Sequence, residues 1–412
     1  MLATRLKIQS FLLFISHFFN FAGYYFFLVI LSNLGMIAFS RAMTIPIRVL
    51  ILACLCCILL MNGKVYVRPP IRWFMLFSGI YIGRVIVEMM RMTVYHIDTS
   101  EFLLYFLAFG ALPLLIVSSM NLCDRDYHVI KWSLLVSGLL LSVATLVYYR
   151  GLIGSVGRIS EAISREENYI SPLALSYCGT LSIGIGISYL MQSKIGRWSK
   201  FLVFIFVLFS LVPFFLGASR GSIFALFLPF VIMFLSRGNA VANIRLVVIM
   251  LLAGVAGIYL SELFGSSLVG RFTSMKADIA QGNESAIRLE MWKAALLQFA
   301  DNPIFGDALE VRAFRFYPHN IVLEVLMSTG IVGFIPFAAL LIHAFRRTVF
   351  IFRNDPANSW MGIVFIQSFI QNMFSGSLYG ASWFWASLGL LYSYNYIRKK
   401  SAHVPGVLAY QN

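Results

Sequence analysis

The stretch HNIVLEVLMSTGIVGFIPFAALLIH, residues 319–343, contains one acidic residue, Glu324. An α-helix crosses the hydrocarbon core of a bilayer with about 20 mostly apolar residues, so this segment predicts a membrane span. Yet it opens with His319 and Asn320 directly after Pro318, and Glu324 follows one turn inside. Polar groups at membrane depth are costly and usually functional.

The same apolar pattern fills the rest of the chain. The 412 residues are 60% hydrophobic and 12% charged, with a mean hydropathy of +0.83; a soluble domain carries about 25% charge. Candidate spans fall near 11–31, 45–62, 71–90, 102–120, 130–149, 170–191, 201–218, 221–236, 245–264, 319–343, 359–377 and 381–397. The expected fold is an all-α polytopic membrane protein of about 12 transmembrane helices. It forms a single integral membrane domain over 1–412, with a long outer loop, 265–318, between helices 9 and 10. The first span carries His17 and Asn20 and lacks a clear small-residue cleavage site, so it is expected to be retained.

Charge sets the expected orientation, because Lys and Arg collect in short cytoplasmic loops. With the N-terminus inside, the inner segments hold 18 of the 32 basic residues, from Arg5 and Lys7 through Lys194 and Arg245 to Arg398, Lys399 and Lys400. Only Asp124, Asp126 and Asp355 oppose them. The whole net charge of +15 therefore sits on one face. Both termini are expected in the cytoplasm, and the basic balance reads as topology and not as a nucleic-acid footprint. The five cysteines lie in spans or on the inner side, so neither a disulfide framework nor a zinc site is expected.

Two outer segments are longer than tight turns: 150–169, with Arg165, Glu166 and Glu167, and 265–318. Connections of such length are usually functional or disordered. The second holds AIRLEMWKAALLQF, residues 286–299. Helical spacing puts Arg288, Met291, Trp292 and Ala295 on one face, Ser285 is a plausible N-cap, and Asp301-Asn302-Pro303 stops the helix. A helix of this kind suits the membrane interface.

Four titratable groups sit on the outer side, where the positive-inside rule gives them no reason to be. Arg220 lies in LGASRGSIF, in a nearly absent connection between spans seven and eight, flanked by Gly217 and Gly221. It reads either as a snorkelling interfacial arginine or as an anion clamp, since a guanidinium grips phosphate oxygens in pairs. Arg288 reads as a solvated charge or as a second such clamp. His319 follows Pro318, a residue suited to the first helical position, which would put His319 and Asn320 in the first turn. The positive end of the helix disfavours imidazolium, so a neutral imidazole would be available as a general base; the alternative is an interfacial histidine facing headgroups. Arg84 sits in YIGRVIVEMMR with Glu88 at i+4, either an internal ion pair or part of a site.

In sequence order these parts form a pattern: SRGS opening a span, RLEMWKAALLQFADNPIFG in the outer loop, then HN, nine residues, Gly330, two residues, Gly333. The pattern, over about the second half of the chain, resembles the O-antigen ligase and polysaccharide polymerase superfamily. The resemblance implies an integral-membrane glycosyltransferase in the bacterial inner membrane. Its donor would be an undecaprenyl-diphosphate-linked glycan, with the site facing the periplasm. It implies that Arg220 and Arg288 bind the diphosphate and that His319 activates the acceptor hydroxyl, with no metal and no cofactor. Arg84, Glu88 and Asn320 are additional candidates, and Glu324 matches no part of the family pattern.

The acceptor separates two readings. A polymerase extends the glycan on a lipid-linked repeat unit; a ligase transfers it to lipid A core. The short interval from Arg288 to His319 and the ending SGSLYGASWFWASLGLL favour polymerase, with ligase as the alternative. A lipid-linked oligosaccharide transporter or flippase is the reading of another class. Against it, the sequence shows no internal repeat of the kind transporters carry.

Overall fold

The computed structural model describes residues 2–36, 42–163, 171–192, 195–238, 240–274 and 284–394, with residues 277 and 282. Arg165, Glu166, Glu167, Lys194, Arg398, Lys399 and Lys400 lie outside these, as do the side chains of Arg245 and Ser285. Among the described residues the regular structure is helical apart from one antiparallel bridge, Val311 to Phe316.

The elements run α1 (Leu2–Asn20), α2 (Ala22–Asn33), α3 (Thr44–Asn62), α4 (Pro69–Met90), α5 (Thr99–Tyr105), a π-turn (Phe106–Ala111) and α6 (Leu112–Ser119). Then come α7 (Asp124–Tyr149), α8 (Pro172–Leu190), α9 (Arg197–Gly217), α10 (Arg220–Ser236), α11 (Ala240–Leu263) and α12 (Leu268–Thr273). The last are α13 (Glu284–Asp301), α14 (Ile321–Asn354), α15 (Ser359–Phe374) and α16 (Ser382–Ser393). Prolines open α4 and α8, where a missing N–H costs nothing. The helix in the long loop starts at Glu284, so Ser285 lies inside it and not at its N-cap.

Hydrogen bonds sort the connections onto two ends of the bundle. At one end Gln9 reaches Asp126, Arg68 reaches the Ser118 and Met120 carbonyls, Arg237 and Arg353 reach the Phe352 and Ser236 carbonyls, and Tyr394 reaches Asp355. These are the basic segments of the sequence. At the other end residues 91–98, 301–320 and 375–381 meet.

Among the described residues seven helical stretches are long and apolar enough to cross a membrane, one of them running from α5 through α6, or eight with α1 and α2 taken as one span bent by 63°. The polytopic all-α class is therefore established, but the expected twelve exceeds the number that meet this test. Some candidate spans fold into shorter helices, such as α10 at 17 residues, α15 at 16 and α16 at 12.

The core at the site end is aromatic. Trp385 of α16 is fully buried and packs with Phe74, Phe77, Phe106, Phe337 and Phe384. The π-turn lets Gly110 lie flat on this indole: a Cβ there would stand 2.7 Å from it. The indole N–H donates to the Leu378 carbonyl at 2.9 Å, so the core holds the 375–381 loop directly.

Candidate active site

His319 precedes helix α14 rather than opening its first turn, because Asn320 is the N-cap. The Asn320 side chain accepts from the Val322 and Leu323 amides, both at 3.1 Å, in extended backbone geometry. An N-cap needs non-helical φ/ψ and a short acceptor side chain, and asparagine supplies both. His319 itself is left-handed, with φ +56°, a region that histidine and asparagine enter more often than other non-glycine residues. The imidazole is half-buried. The ring lies edge-on to Tyr317 at 4.6 Å and near Phe316 at 5.5 Å. Pro318 instead uses its carbonyl to accept from the Trp292 indole of α13, at 2.8 Å.

Helix α13 docks by the face the sequence singled out. Met291 and Ala295 are buried, and the Arg288 guanidinium donates to the Phe374 carbonyl at 2.9 Å. The chain after α13 is fixed by a break in α14. Gly330 has φ +60°, ψ −161°, a conformation open in practice only to glycine. The break exposes amides that loop 303–307 uses. Ile331 donates to the Pro303 carbonyl at 2.8 Å, Val332 to Ile304 at 3.1 Å, and the Asp307 amide to Met327 at 2.8 Å. Arg84 of α4 completes the dock, donating to the carbonyls of Phe305, Gly306 and Asp307 at 2.6–3.0 Å. It also pairs with the wholly buried Glu88 at 3.4 Å, and Glu88 accepts in turn from Thr93 and Tyr95. The Arg84–Glu88 pair is thus interior, and its partners make it an anchor for the outer loop.

Beside this anchor Glu310 accepts from the ring and backbone of His96, and Tyr379 meets the other ring nitrogen at 3.2 Å. Burial pushes the Glu310 carboxyl upward, and the His96 hydrogen bonds pull it back. Burial also raises the Tyr379 phenol. The three groups brace the Phe316–Tyr317 pair, with His96 4.6 Å from Phe316 and Tyr379 6.0 Å from Tyr317.

These elements enclose a cavity of about 700 Å³, within the range of ligand pockets. Arg288 of α13, Phe316, Tyr317 and His319 line it, as do Gln371 and Asn372 of α15 and Ser375, Ser377 and Ser382 around the following loop. Tyr24, Tyr25 and Leu28 of α2, Leu173 and Ala174 at the start of α8, and Trp383 of α16 add to the wall. The structure therefore brings Arg288 and His319 to one space.

Arg220 does not line that space; it sits at the N-terminus of α10 beside it. The turn into α10 is tight: Ala218 is left-handed, and Cβ atoms on Gly217 and Gly221 would meet the Ser176 backbone and the Tyr177 hydroxyl at 2.5 and 2.2 Å. Gly221 also packs against Phe374, the residue whose carbonyl takes Arg288. One residue thus links the two arginine-bearing helices. Arg84, Glu88 and Asn320 support the walls without lining the cavity. Among the described residues no group of three His, Cys, Asp or Glu side chains is placed to hold a metal ion.

Sequence reasoning missed the α2 wall, the loop 375–381 and the work of Glu324. The buried Glu324 carboxyl accepts the Leu378 amide at 2.8 Å, while Trp385 holds the carbonyl of the same residue. The cavity loop is therefore pinned from both sides. Replacing Glu324 with Ala orphans a buried amide and is expected to cost about 1–3 kcal/mol; Glu324→Gln keeps an acceptor and should cost less. Thermal unfolding in detergent reads the difference, and equal losses would show that this hydrogen bond is not what matters.

Residues 204–338 match the family model Wzy_C, described as O-antigen ligase. The match runs from α9 through α14 and takes in Arg220, Arg288, His319, Gly330 and Gly333. It supports placing the chain in the O-antigen ligase and polysaccharide polymerase superfamily, whose members are glycosyltransferase-like membrane enzymes acting on lipid-linked glycans. No curated protein matches the chain.

Proposed function

We propose that the protein is a polysaccharide polymerase of the inner membrane that transfers an undecaprenyl-diphosphate-linked glycan to a lipid-linked repeat unit. The observation that carries this reading is the cavity shared by Arg288 and His319, beside a loop helix whose following loop, 303–307, is fixed by Arg84 and the break at Gly330. Arg288 grips the diphosphate, and Arg220, at the next helix start, adds a second guanidinium and the positive end of α10. His319 takes the proton of the acceptor hydroxyl as its oxygen attacks the anomeric carbon and the lipid diphosphate leaves. No metal enters this scheme, because the guanidinium groups carry the leaving-group charge.

The proposal places both termini in the cytoplasm and the cavity in the periplasm, on the strength of the one-sided basic residues. A reporter fused near residue 277 that reads as cytoplasmic would overturn it. Ligase is the second reading, since donor chemistry is shared and the matched family bears that description. Reconstitution separates the two. The purified chain given lipid-linked repeat unit alone should build a ladder, whereas product only on adding lipid A core means ligase. In the same assay Arg288→Lys keeps the charge and loses the planar fork, and should lower the rate about 10–100-fold. A lysine variant at the wild-type rate removes the clamp from the scheme.

A further inference from the structure

The part of the cavity away from Arg288 is aromatic. Tyr24 and Tyr25 come from α2, just past the bend at Phe21, and Trp383 comes from the first turn of α16. Tyr25 and Trp383 meet at 6.0 Å with planes 82° apart, and Tyr24 and Tyr25 at 5.2 Å and 71°. Phe21 packs against one face of Trp383 at 5.6 Å and 32°, and Arg48 lies over the Tyr24 ring at 5.4 Å; the edge-on pairs leave Tyr25 and the second face of Trp383 for a ligand. An aromatic belt facing headgroups does not account for these residues, since Tyr24 is 9% exposed and Trp383 6%, and both line the cavity. Amides and hydroxyls share the wall: Gln371, Asn372, Ser375, Ser377 and Ser382. Among the described lining residues Arg288 is the one with a fixed charge.

We propose that Tyr25 and Trp383, with Tyr24 behind them, form a sugar-stacking subsite that holds an uncharged pyranose of the glycan while Arg288 holds the anion. This rests on the glycosyltransferase reading above and adds the residues that recognise the sugar. One face of a pyranose presents C–H groups with slight positive character, and the face of an aromatic ring carries the complementary negative quadrupole. The equatorial hydroxyls around the sugar rim need partners that both donate and accept, which amides and serines supply. A lipid tail would want an apolar wall without such groups, and an anionic sugar would want a second cation lining the cavity; Arg48 lies over the Tyr24 ring without lining it.

Two probes test this with the full chain in nanodiscs: undecaprenyl diphosphate without glycan, and the lipid-linked repeat unit extracted from the producing cell. Tyr25→Leu and Trp383→Leu should bind the glycan-bearing lipid about 10-fold or more weakly, and bind the bare lipid as the parent does. Tyr25→Phe and Trp383→Phe keep a ring and should recover most of the loss. Leucine variants that bind both lipids normally, or lose both equally, overturn the subsite. So does a parent protein that binds bare and glycan-bearing lipid alike, although a ladder from that preparation would leave glycosyl transfer standing. Ring-dependent glycan binding without a ladder in any acceptor mixture would keep the subsite and sink the transferase reading.

Discussion

His319→Asn is expected to lower the rate of glycan transfer by about 10²–10⁴-fold, the usual cost of losing a general base, while donor binding survives. Asparagine is the informative replacement because of the backbone. His319 stands at φ +56°, which asparagine tolerates and alanine does not. A loss in His319→Ala alone would mix chemistry with strain in the turn that carries the Trp292–Pro318 contact. A loss shared by both variants belongs to the imidazole. The same logic separates the histidine from the arginine: donor affinity should fall in Arg288 variants and hold in His319 variants. An inserted, stable His319→Asn protein that polymerises at the parent rate would remove His319 from the mechanism.

The outline of this fold was legible in the sequence because membrane helices need long apolar runs. The candidate site was legible only in part, and the divide follows the range of the interactions. His319, Arg288 and the face Arg288–Met291–Trp292–Ala295 stand out locally, by polarity against an apolar background or by helical spacing. The wall built by Tyr24, Tyr25 and Trp383 does not, since aromatic residues in apolar runs look the same whether they meet lipid, core or a cavity. Only the 63° bend at Phe21 brings α2 to the site. Arg220 shows the converse case. Its place at a helix start was readable, and so were the glycines beside it, but its position at the edge of the cavity depends on how α15 ends at Phe374. Glu324 looked anomalous for the same reason: its partner, the Leu378 amide, lies 54 residues away.

Gly330→Ala is expected to undo the site without touching a residue that meets substrate. A Cβ at Gly330 would stand 2.3 Å from the Ile304 carbonyl oxygen and 2.6 Å from the Gly306 amide nitrogen. Both are backbone atoms, so no rotamer change relieves the clash. The residue would also have to hold φ +60° with ψ −161°, which costs a non-glycine residue about 1–3 kcal/mol. Relief requires loop 303–307 to withdraw. That abandons the hydrogen bonds from Ile331, Val332 and Asp307, and leaves Arg84 without its three carbonyls. Several of these groups are exposed and would bond water instead, so each lost hydrogen bond costs about 0.5–1.5 kcal/mol; with the strain, the variant should lose about 3–5 kcal/mol or fail to fold its outer loop. Transfer should fall with it, because α13 carries Arg288 and is tethered through this loop. Gly83→Ala is the matched control, one residue from Arg84 on α4, with no atom within 4 Å of the added methyl group; alanine favours a helix over glycine there by about 1 kcal/mol. Limited proteolysis in the 301–318 segment, alongside thermal unfolding, distinguishes the two. Rapid cleavage in Gly330→Ala and parental resistance in Gly83→Ala would show that the second half of the His-Asn…Gly…Gly pattern serves to seat the loop. Equal resistance in both would show that the break in α14 does not hold it.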